Sequence, residues 1–232
     1  GLSGVAEMPG LADLATAAPS AALAQKPAVD PLQEAREAQR TLRDKTFASM
    51  RKDRIPVRGL LAAQFESGKE GISCVGYDRM GGTSYGKYQI SSRRGSMDQF
   101  MKFLEKQAPE WQARLEQAGP ANTGSSKGNM PEEWKRIAGE DPAYFELLQD
   151  EFVHDLNYRP ALQGIVEGAG FNVGELSPAV REVLWSTSIQ HGGRGAANIF
   201  ISCLKKLGGA EGRQGSDFER ELIEQVYDAR KR

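Results

Sequence analysis

Residues 64–90 read QFESGKEGISCVGYDRMGGTSYGKYQI, and this stretch decides how the chain is interpreted. Glu66 ends an apolar segment, VRGLLAAQF at residues 57–65, which carries a single charge. Both the helix dipole and burial disfavour the anionic form of a carboxyl group at the C-terminal end of an apolar helix. The pattern therefore favours a protonated Glu66, as a general acid requires near neutral pH. The alternative is an ordinary exposed carboxylate beside a glycine turn.

A second carboxylate, Asp78, follows inside the glycine-rich segment 68–86. We expect Ser67 and Gly68 to end the helix at once, so that the carboxyl group of Glu66 lies at the mouth of a loop. One apolar and one polar carboxylate are the usual pair for glycoside hydrolysis, and glycines let a backbone approach a sugar closely. Three tyrosine rings are available for stacking on sugars or for ordinary packing: Tyr77, Tyr85 and Tyr88.

Two segments in this order, residues 64–68 (QFESG) and 82–90 (GTSYGKYQI), resemble the lysozyme-like superfamily. In its soluble lytic transglycosylases and goose-type lysozymes, a helix ends in a catalytic Glu-Ser and a segment ending in Gly-Leu-Met-Gln follows. The segment 86–89 (GKYQ) stands in that place. A third motif, Tyr-Asn-Ala-Gly, corresponds to residues 189–192 (IQHG). The resemblance spans about residues 56–230 and extends to chitosanases and to lysozyme-like domains of type VI secretion spike and phage tail proteins.

The resemblance implies a glycoside hydrolase or lytic transglycosylase acting on cell-wall glycan. Glu66 would be the general acid that protonates the oxygen between N-acetylmuramic acid and N-acetylglucosamine, and Asp78 the second catalytic residue. The residues expected to bind substrate are Ser84, Tyr85, Tyr88, Gln89, Gln190, His191 and Tyr227. The sequence leaves open hydrolysis against transglycosylation, a chitosanase-like hydrolase, and a non-catalytic glycan-binding module of a secretion or phage assembly.

Other reactive residues have simpler interpretations. Glu70 is a rival acid, but we expect it in an exposed loop. His191 could contact substrate or a backbone carbonyl, whereas His154 is expected to be structural. Cys74 and Cys203 could form a disulfide or, with a histidine, a nucleophile pair. Two unpaired buried thiols are the default expectation.

Hydrophobic spacing predicts a mostly helical chain. The predicted helices cover residues 31–52, 96–107, 131–137, 142–157, 178–190, 196–207 and 217–230, and an irregular β region covers 72–92 with a strand-like segment at 85–90. The expected class is α+β, mostly α: a lysozyme-like helical domain with a small irregular β region next to the catalytic helix. The expected organisation is a linker or pro-segment at 1–30, an amphipathic helix at 31–54 and a lysozyme-like catalytic domain at 55–232. The amphipathic helix packs on its own domain or binds a partner.

Composition excludes several classes of protein. The chain has 232 residues, 39% of them hydrophobic, and a net charge of -1, which argues against a general nucleic-acid binder or a polybasic membrane-surface protein. No apolar run approaches the roughly 20 residues of a membrane span. With two Cys and two His, a Cys/His zinc site is not expected, and no cofactor is implied.

The resemblance also suggests partners and a location. The expected ligand is peptidoglycan or a related amino-sugar polymer, with a larger secretion or phage assembly as a further candidate partner. We expect a monomer. Cell-wall targets imply a periplasmic or secreted protein, although residues 1–30 lack the basic and long apolar regions of a signal peptide.

Overall fold

The computed structural model describes residues 30–53, 68–209 and 215–231. The helices are α1 (Pro31–Asp53), α2 (Gly68–Ser73), α3 (Ser96–Gln107), α4 (Pro109–Gln117), α5 (Asn129–Glu140), α6 (Pro142–Val153), α7 (Arg159–Ala169), α8 (Pro178–Lys206) and α9 (Ser216–Arg230). The strands β1 (Val75–Asp78), β2 (Gly82–Tyr85) and β3 (Ile90–Ser91) form one antiparallel sheet in that order. The predicted α+β, mostly α class is confirmed.

A cluster of aromatic rings joins the sheet to the helices. Trp134 of α5 is fully buried, and its ring centroid lies 5.2 Å from that of Tyr85 in β2 and 4.7 Å from that of Phe145 in α6. Phe100 of α3 completes the cluster at 5.5 Å from Trp134. Aromatic side chains bury large apolar areas, and tilted or edge-to-face contacts add to that stabilisation. The sheet is therefore fixed on the helical core through Tyr85.

The glycine-rich residues after Ser67 are helical, so the predicted loop at this point is wrong. Ile72 of α2 is buried, and its backbone carbonyl accepts hydrogen bonds from Trp134 Nε1 (2.8 Å) and Gln149 Nε2 (3.1 Å). Glycine disfavours helix by about 1 kcal/mol per residue. Here burial of Ile72 and its two tertiary hydrogen bonds oppose that preference.

The segment predicted as one strand, 85–90, is broken by a turn at residues 86–89. Gly86 has φ 74° and Gln89 has φ 51°, both in the left-handed region. A Cβ atom on Gly86 would lie 2.8 Å from Trp134 Cζ2 and would overlap Gln149 Oε1. The close approach to the core thus requires glycine, and β3 begins only at Ile90.

The helix predicted over 142–157 changes register before its end. The α-helical part stops at Val153, and a π-helical turn, His154–Tyr158, leads into α7. Pro160 lacks the N–H that an uninterrupted α-helix would use at this point.

The helices predicted at 178–190 and 196–207 are joined in α8, with one break at Gly192 (φ 71°, ψ 169°). The next residue, Gly193, is buried, and a Cβ atom there would lie 2.9 Å from the backbone oxygen of Asn157. Because no side chain intervenes, α8 packs closely against the backbone of the π-helical turn.

Helix α1 covers the predicted amphipathic segment and packs on the rest of the molecule. Arg43 Nε donates to Asp141 Oδ2 at 2.7 Å, and the ring of Phe47 lies 6.0 Å from that of Tyr144. None of the helices in the described ranges has the length and apolar composition of a membrane span.

We predict that Gly86→Ala lowers the free energy of unfolding by about 3 kcal/mol, because alanine adds both a strained φ and an overlap with the core. Gly95→Ala is the matched control, since Gly95 has φ 81° but no atom within 4 Å of its Cβ position. The control should cost only about 1 kcal/mol. Urea unfolding of both variants measures the difference, and equal losses would contradict the packing argument.

We predict that Gln149→Leu lowers the free energy of unfolding by about 2 kcal/mol. It removes the acceptor of the part-buried Lys87 backbone N–H (2.9 Å) and a buried donor to the Ile72 carbonyl (3.1 Å). Gln163→Leu on the exposed face of α7 should change it by less than about 0.5 kcal/mol. Thermal and urea denaturation test the pair. A stable Gln149→Leu would show that these hydrogen bonds are dispensable.

Candidate active site

Asp78 ends β1 at the turn into β2, and its side chain is exposed. Its Oδ1 accepts backbone hydrogen bonds from Gly81 (2.6 Å) and Met80 (2.8 Å). The Gly81 hydrogen bond is the largest influence and lowers the pKa of Asp78; slight burial opposes it, and the Met80 hydrogen bond adds to the lowering. The positive charges of Arg94 and Arg93 lower it further. Asp78 is therefore an anion at neutral pH, suited to act as a base or to stabilise positive charge.

Ser84 and Gln89 are brought together beside this hairpin. Ser84 Oγ donates to Gln89 Oε1 at 2.7 Å, and Gln89 Nε2 donates to the carbonyl of Gly86 at 2.9 Å. A Cβ atom on Gly76 of β1 would overlap Gln89 Oε1, so the Gln89 side chain lies directly against β1. The amide of Gln89 thus has a fixed orientation while the residue remains exposed.

A charged cluster lies behind the 86–89 turn. Lys87 Nζ lies 3.1 Å from both Glu146 Oε1 and Asp150 Oδ1, and Tyr88 donates its hydroxyl to Asp150 Oδ1 at 2.8 Å. Burial alone would lower the pKa of Lys87, but its ion pairs with Asp150 and Glu146 outweigh that effect and raise the pKa. Lys87 is therefore a fixed cation that holds the turn on α6.

Aromatic rings connect this turn to α8. Tyr88 meets Trp185 edge to face, with centroids 6.3 Å apart, and Trp185 also lies against His154 (5.9 Å). His154 stacks on Tyr158 at 4.8 Å, which fits its predicted structural role. Burial raises the pKa of Tyr158, whose hydroxyl has no hydrogen-bond partner among the described residues. Such π-helical turns are frequent at functional sites.

Gln190 and Tyr227 both contact the same side chain, that of Arg230. Arg230 of α9 donates from Nε (3.0 Å) and Nη2 (2.7 Å) to Gln190 Oε1, and from Nη1 to Ser186 Oγ (2.8 Å). Its guanidinium group lies over the Tyr227 ring at 5.3 Å. His191 is exposed just before the break at Gly192.

The predicted site residues therefore fall into three local groups: Asp78 on its turn, Ser84 with Gln89 and Tyr88, and Gln190 with Tyr227. Tyr88 links the second group to α8 through Trp185. Glu66 lies outside the described residues. Tyr85, predicted to bind substrate, is instead a core residue: it is fully buried, and its hydroxyl donates to the carbonyl of Ala121 at 2.6 Å. Burial of its ring against Trp134 leaves no face for a sugar.

Asp150 and Arg230 were missed by sequence reasoning, although each orients a predicted site residue. Asp150 lies 62 positions from its partner Tyr88, and Arg230 lies 40 positions from Gln190. No local motif marks them.

One group of metal-type ligands occurs in the described residues: Glu151, His154 and Asp155. Arg159 already pairs with Asp155 at 2.9 Å and with Glu151 at 3.6 Å, so an ion-pair cluster accounts for these carboxylates. Cys74 and Cys203 are both free; Cys203 is buried, which raises the pKa of its thiol, whereas Cys74 is exposed, contrary to expectation.

A pocket of about 300 Å³ lies between α1 and helices α4 to α6. Its lining includes Arg36, Arg40 and Trp111, and none of the predicted site residues. We therefore place the candidate site at the hairpin and α8, not in this pocket.

The fold is similar to that of chitosanases. A GH46 chitosanase from Gynuella sunshinyii, in complex with chitotetraose, matches with a TM-score of 0.50 and 24% identity, covering 77% of each chain. The chitosanase OU01 with its substrate matches with a TM-score of 0.48 and 20% identity over 70% of this chain and 68% of that one. At these identities the likeness concerns the fold.

Part of the chain is similar in sequence to a spike protein of a secretion system. The type VI secretion system spike protein VgrG3 of Vibrio cholerae serotype O1 (strain ATCC 39315 / El Tor Inaba N16961) is 29% identical over 148 residues. That match covers 63% of this chain but only 13% of VgrG3. Residues 58–232 match the family described as type VI secretion system spike protein VgrG3-like, C-terminal. Because this match covers more than half of the chain, the chain belongs to the VgrG3-like C-terminal family of type VI secretion system spike proteins.

Proposed function

We propose that the chain is a peptidoglycan-cleaving glycosidase, a muramidase or lytic transglycosylase that breaks the bond between N-acetylmuramic acid and N-acetylglucosamine. The observation that carries this proposal is the exposed Asp78 carboxylate, kept anionic at the hairpin by two backbone N–H groups and two arginines. The family and the chitosanase-like fold support a glycan-degrading or glycan-binding role.

In the proposed reaction, Glu66 donates its proton to the glycosidic oxygen while the bond to the anomeric carbon breaks. The sugar then carries developing positive charge, which an anion nearby stabilises. Asp78 has the charge for this task and could instead activate a water molecule. In the transglycosylase route, the N-acetyl group assists departure of the leaving group. The 6-hydroxyl oxygen of the same sugar then bonds to the anomeric carbon and gives its proton to the Glu66 carboxylate, which forms the anhydro product and leaves Asp78 a secondary role.

Sugar orientation is assigned to exposed polar groups whose positions are fixed by neighbours. Gln89 is held by Ser84 and Gly86, and Gln190 is held by Arg230. Fixed donors and acceptors lose little conformational entropy when they bind a ligand. His191 lies next to Gln190 in the sequence and is exposed, so we assign it to the same task.

Delivery by a secretion spike is part of the proposal. Membership of the spike family supports association with a larger secretion assembly and export from the producing cell. Cell-wall glycan is the polymer that such a protein would meet outside the cytoplasm. We propose residues 55–232 as the catalytic domain, with α1 as an added helix packed on it.

Chitosan hydrolysis is the second candidate, favoured by the fold shared with the Gynuella sunshinyii chitosanase. It would use the same two carboxylates. A non-catalytic glycan-binding module would need no acid at Glu66, and the next experiment separates it from both enzymes.

We predict that Glu66→Gln lowers glycan cleavage by at least about 1,000-fold while binding to purified peptidoglycan is retained, because the amide cannot donate the proton. Glu70→Gln is the matched control, since this carboxylate lies four positions away and should be dispensable. Mass spectrometry of digested peptidoglycan measures cleavage by both variants, and sedimentation with insoluble peptidoglycan measures their binding. Reducing muramyl ends indicate hydrolysis, and anhydromuramyl ends indicate transglycosylation.

Unchanged cleavage by Glu66→Gln would eliminate its role as the acid. If the wild-type chain cleaves only chitosan, the second candidate replaces the first. If it releases nothing from either polymer but binds glycan, the binding-module hypothesis replaces both.

We predict that activity depending on Asp78 is lost at a lower pH than it would be with an aspartate of ordinary pKa. The Gly81 hydrogen bond, the Met80 hydrogen bond and the arginines lower the pKa of Asp78 from 3.8, so its anion survives to lower pH. Arg94→Gln should raise this pKa and move the acidic limb of kcat/KM to higher pH. Asp78→Asn should lower kcat by about 100-fold in a hydrolase.

Rates on purified peptidoglycan between about pH 3 and pH 7 test this prediction, with circular dichroism as the check on folding. Arg220→Gln on α9 is the control, because Arg220 pairs with Asp217 at 3.2 Å, whereas the arginines that lower the pKa of Asp78 are Arg94 and Arg93. An acidic limb that stays in place, or moves to lower pH, in Arg94→Gln would contradict it.

A further inference from the structure

Three exposed arginines surround the β1–β2 turn, and we name Arg79, Arg93 and Arg94 the hairpin arginine cluster. Arg93 Nη1 donates to the carbonyl of Arg79 at 2.6 Å, and the Arg93 backbone N–H donates to the carbonyl of Gly81 at 3.0 Å. The Arg94 backbone N–H donates to Ser91 Oγ at 3.2 Å, and Ser91 Oγ donates to the same Gly81 carbonyl at 2.6 Å. The backbones of Arg93 and Arg94 are therefore fixed to the turn that holds Asp78 and Arg79.

In the described part of the chain, no carboxylate neutralises the positive charge of this cluster by direct contact. Within the described ranges, none of its guanidinium groups has a carboxylate oxygen within 4 Å, whereas Arg43, Arg114 and Arg159 each have at least two carboxylate partners. Asp78 supplies a single negative charge against three positive ones. These guanidinium groups are exposed, and none is paired with a described carboxylate, although Arg93 donates to a backbone carbonyl. They are therefore available to an anionic ligand.

An apolar side chain accompanies the charge. Met80, between Arg79 and Gly81, is 77% exposed, the highest value for a large hydrophobic residue in the described part of the chain. A bare polysaccharide offers hydroxyl groups at this point, whereas a peptide offers both carboxylates and aliphatic side chains. The combination of arginine and methionine therefore fits a peptide better than a sugar.

We propose that the hairpin arginine cluster binds the carboxylates of the peptide stems of peptidoglycan, and that it selects stem-bearing glycan over stem-free glycan and over polycationic chitosan. Guanidinium groups bind carboxylates with paired, charge-assisted hydrogen bonds and repel the ammonium groups of glucosamine. This inference rests on the proposed function and names its substrate class.

A purely structural role for these arginines makes a different prediction. If they only keep Asp78 ionised or hold the turn, their removal changes activity on every glycan by the same factor. Selection of peptide stems changes the ratio between substrates. The ratio is therefore the diagnostic quantity, since any effect transmitted through Asp78 cancels in it.

The experiment uses the full chain and three probes: purified stem-bearing glycan strands, the same strands stripped of peptides by an amidase, and chitosan oligomers. Binding is measured by fluorescence anisotropy in the Glu66→Gln background, and kcat/KM is measured in the active chain. The variants are Arg79→Gln, Arg94→Gln and the double variant. Arg220→Gln is the control, and Arg79→Lys with Arg94→Lys tests rescue by charge. Arg93 is kept because its side chain bonds the turn.

We expect the wild-type chain to prefer stem-bearing strands, and the double variant to lose about three- to ten-fold of that preference in both binding and kcat/KM. The lysine variant should keep part of it, and about 0.5 M salt should abolish it. Equal wild-type affinity for stem-bearing and stripped strands would overturn the inference, as would a preference unchanged in the double variant. If no glycan is cleaved but the binding preference follows the arginines, the proposed function fails and the inference stands.

Discussion

The backbone carbonyl of Ile72 accepts hydrogen bonds from Trp134 and Gln149, and the architecture around the candidate site depends on this junction. The oxygen of the same Gln149 side-chain amide, Oε1, accepts a hydrogen bond from the backbone N–H of Lys87. One buried carbonyl and one buried amide thus join α2, α5, α6 and the turn after β2. Buried polar groups without partners are costly, so each of these elements can occupy only the position that satisfies the others.

The same junction determines how the candidate site is assembled. Gly86 fits against Trp134 and Gln149 only because it has no side chain. This close fit lets the next two residues, Lys87 and Tyr88, form hydrogen bonds with carboxylates of α6. Tyr88 then meets Trp185 of α8. A continuous chain of packed groups therefore runs from the hairpin that carries Asp78 to the helix that carries Gln190. The breaks at His154–Tyr158 and Gly192 let α8 approach closely enough to complete it.

The charged groups at the 86–89 turn and those at the β1–β2 turn have different surroundings. Behind the turn, Lys87 is largely buried and neutralised by Asp150 and Glu146, which gives rigidity. At the open face, Asp78 receives backbone hydrogen bonds, and the surrounding arginines lack direct carboxylate partners among the described residues. The structure thus separates a neutralised cluster that stabilises the turn from an exposed charged surface that is accessible to a polymer. Because screening acts mainly on exposed charges, salt should affect the second surface more than the first.

The sequence alone determined the fold class, most of the helices and a resemblance to the lysozyme-like superfamily. Apolar spacing predicted the helix at residues 96–107 and the β region, and the ordered motifs around Glu66 and residues 86–89 identified a lysozyme-like chain. Periodicity and short motifs carry this information because it depends on near neighbours. The tertiary structure alone decided that Tyr85 is core, that residues 68–73 are helical and that residues 86–89 turn. It also decided that Asp150 and Arg230 hold site residues 62 and 40 positions away. Those outcomes depend on contacts between residues that are far apart in the sequence. Such contacts produce no periodic pattern that a single sequence could reveal.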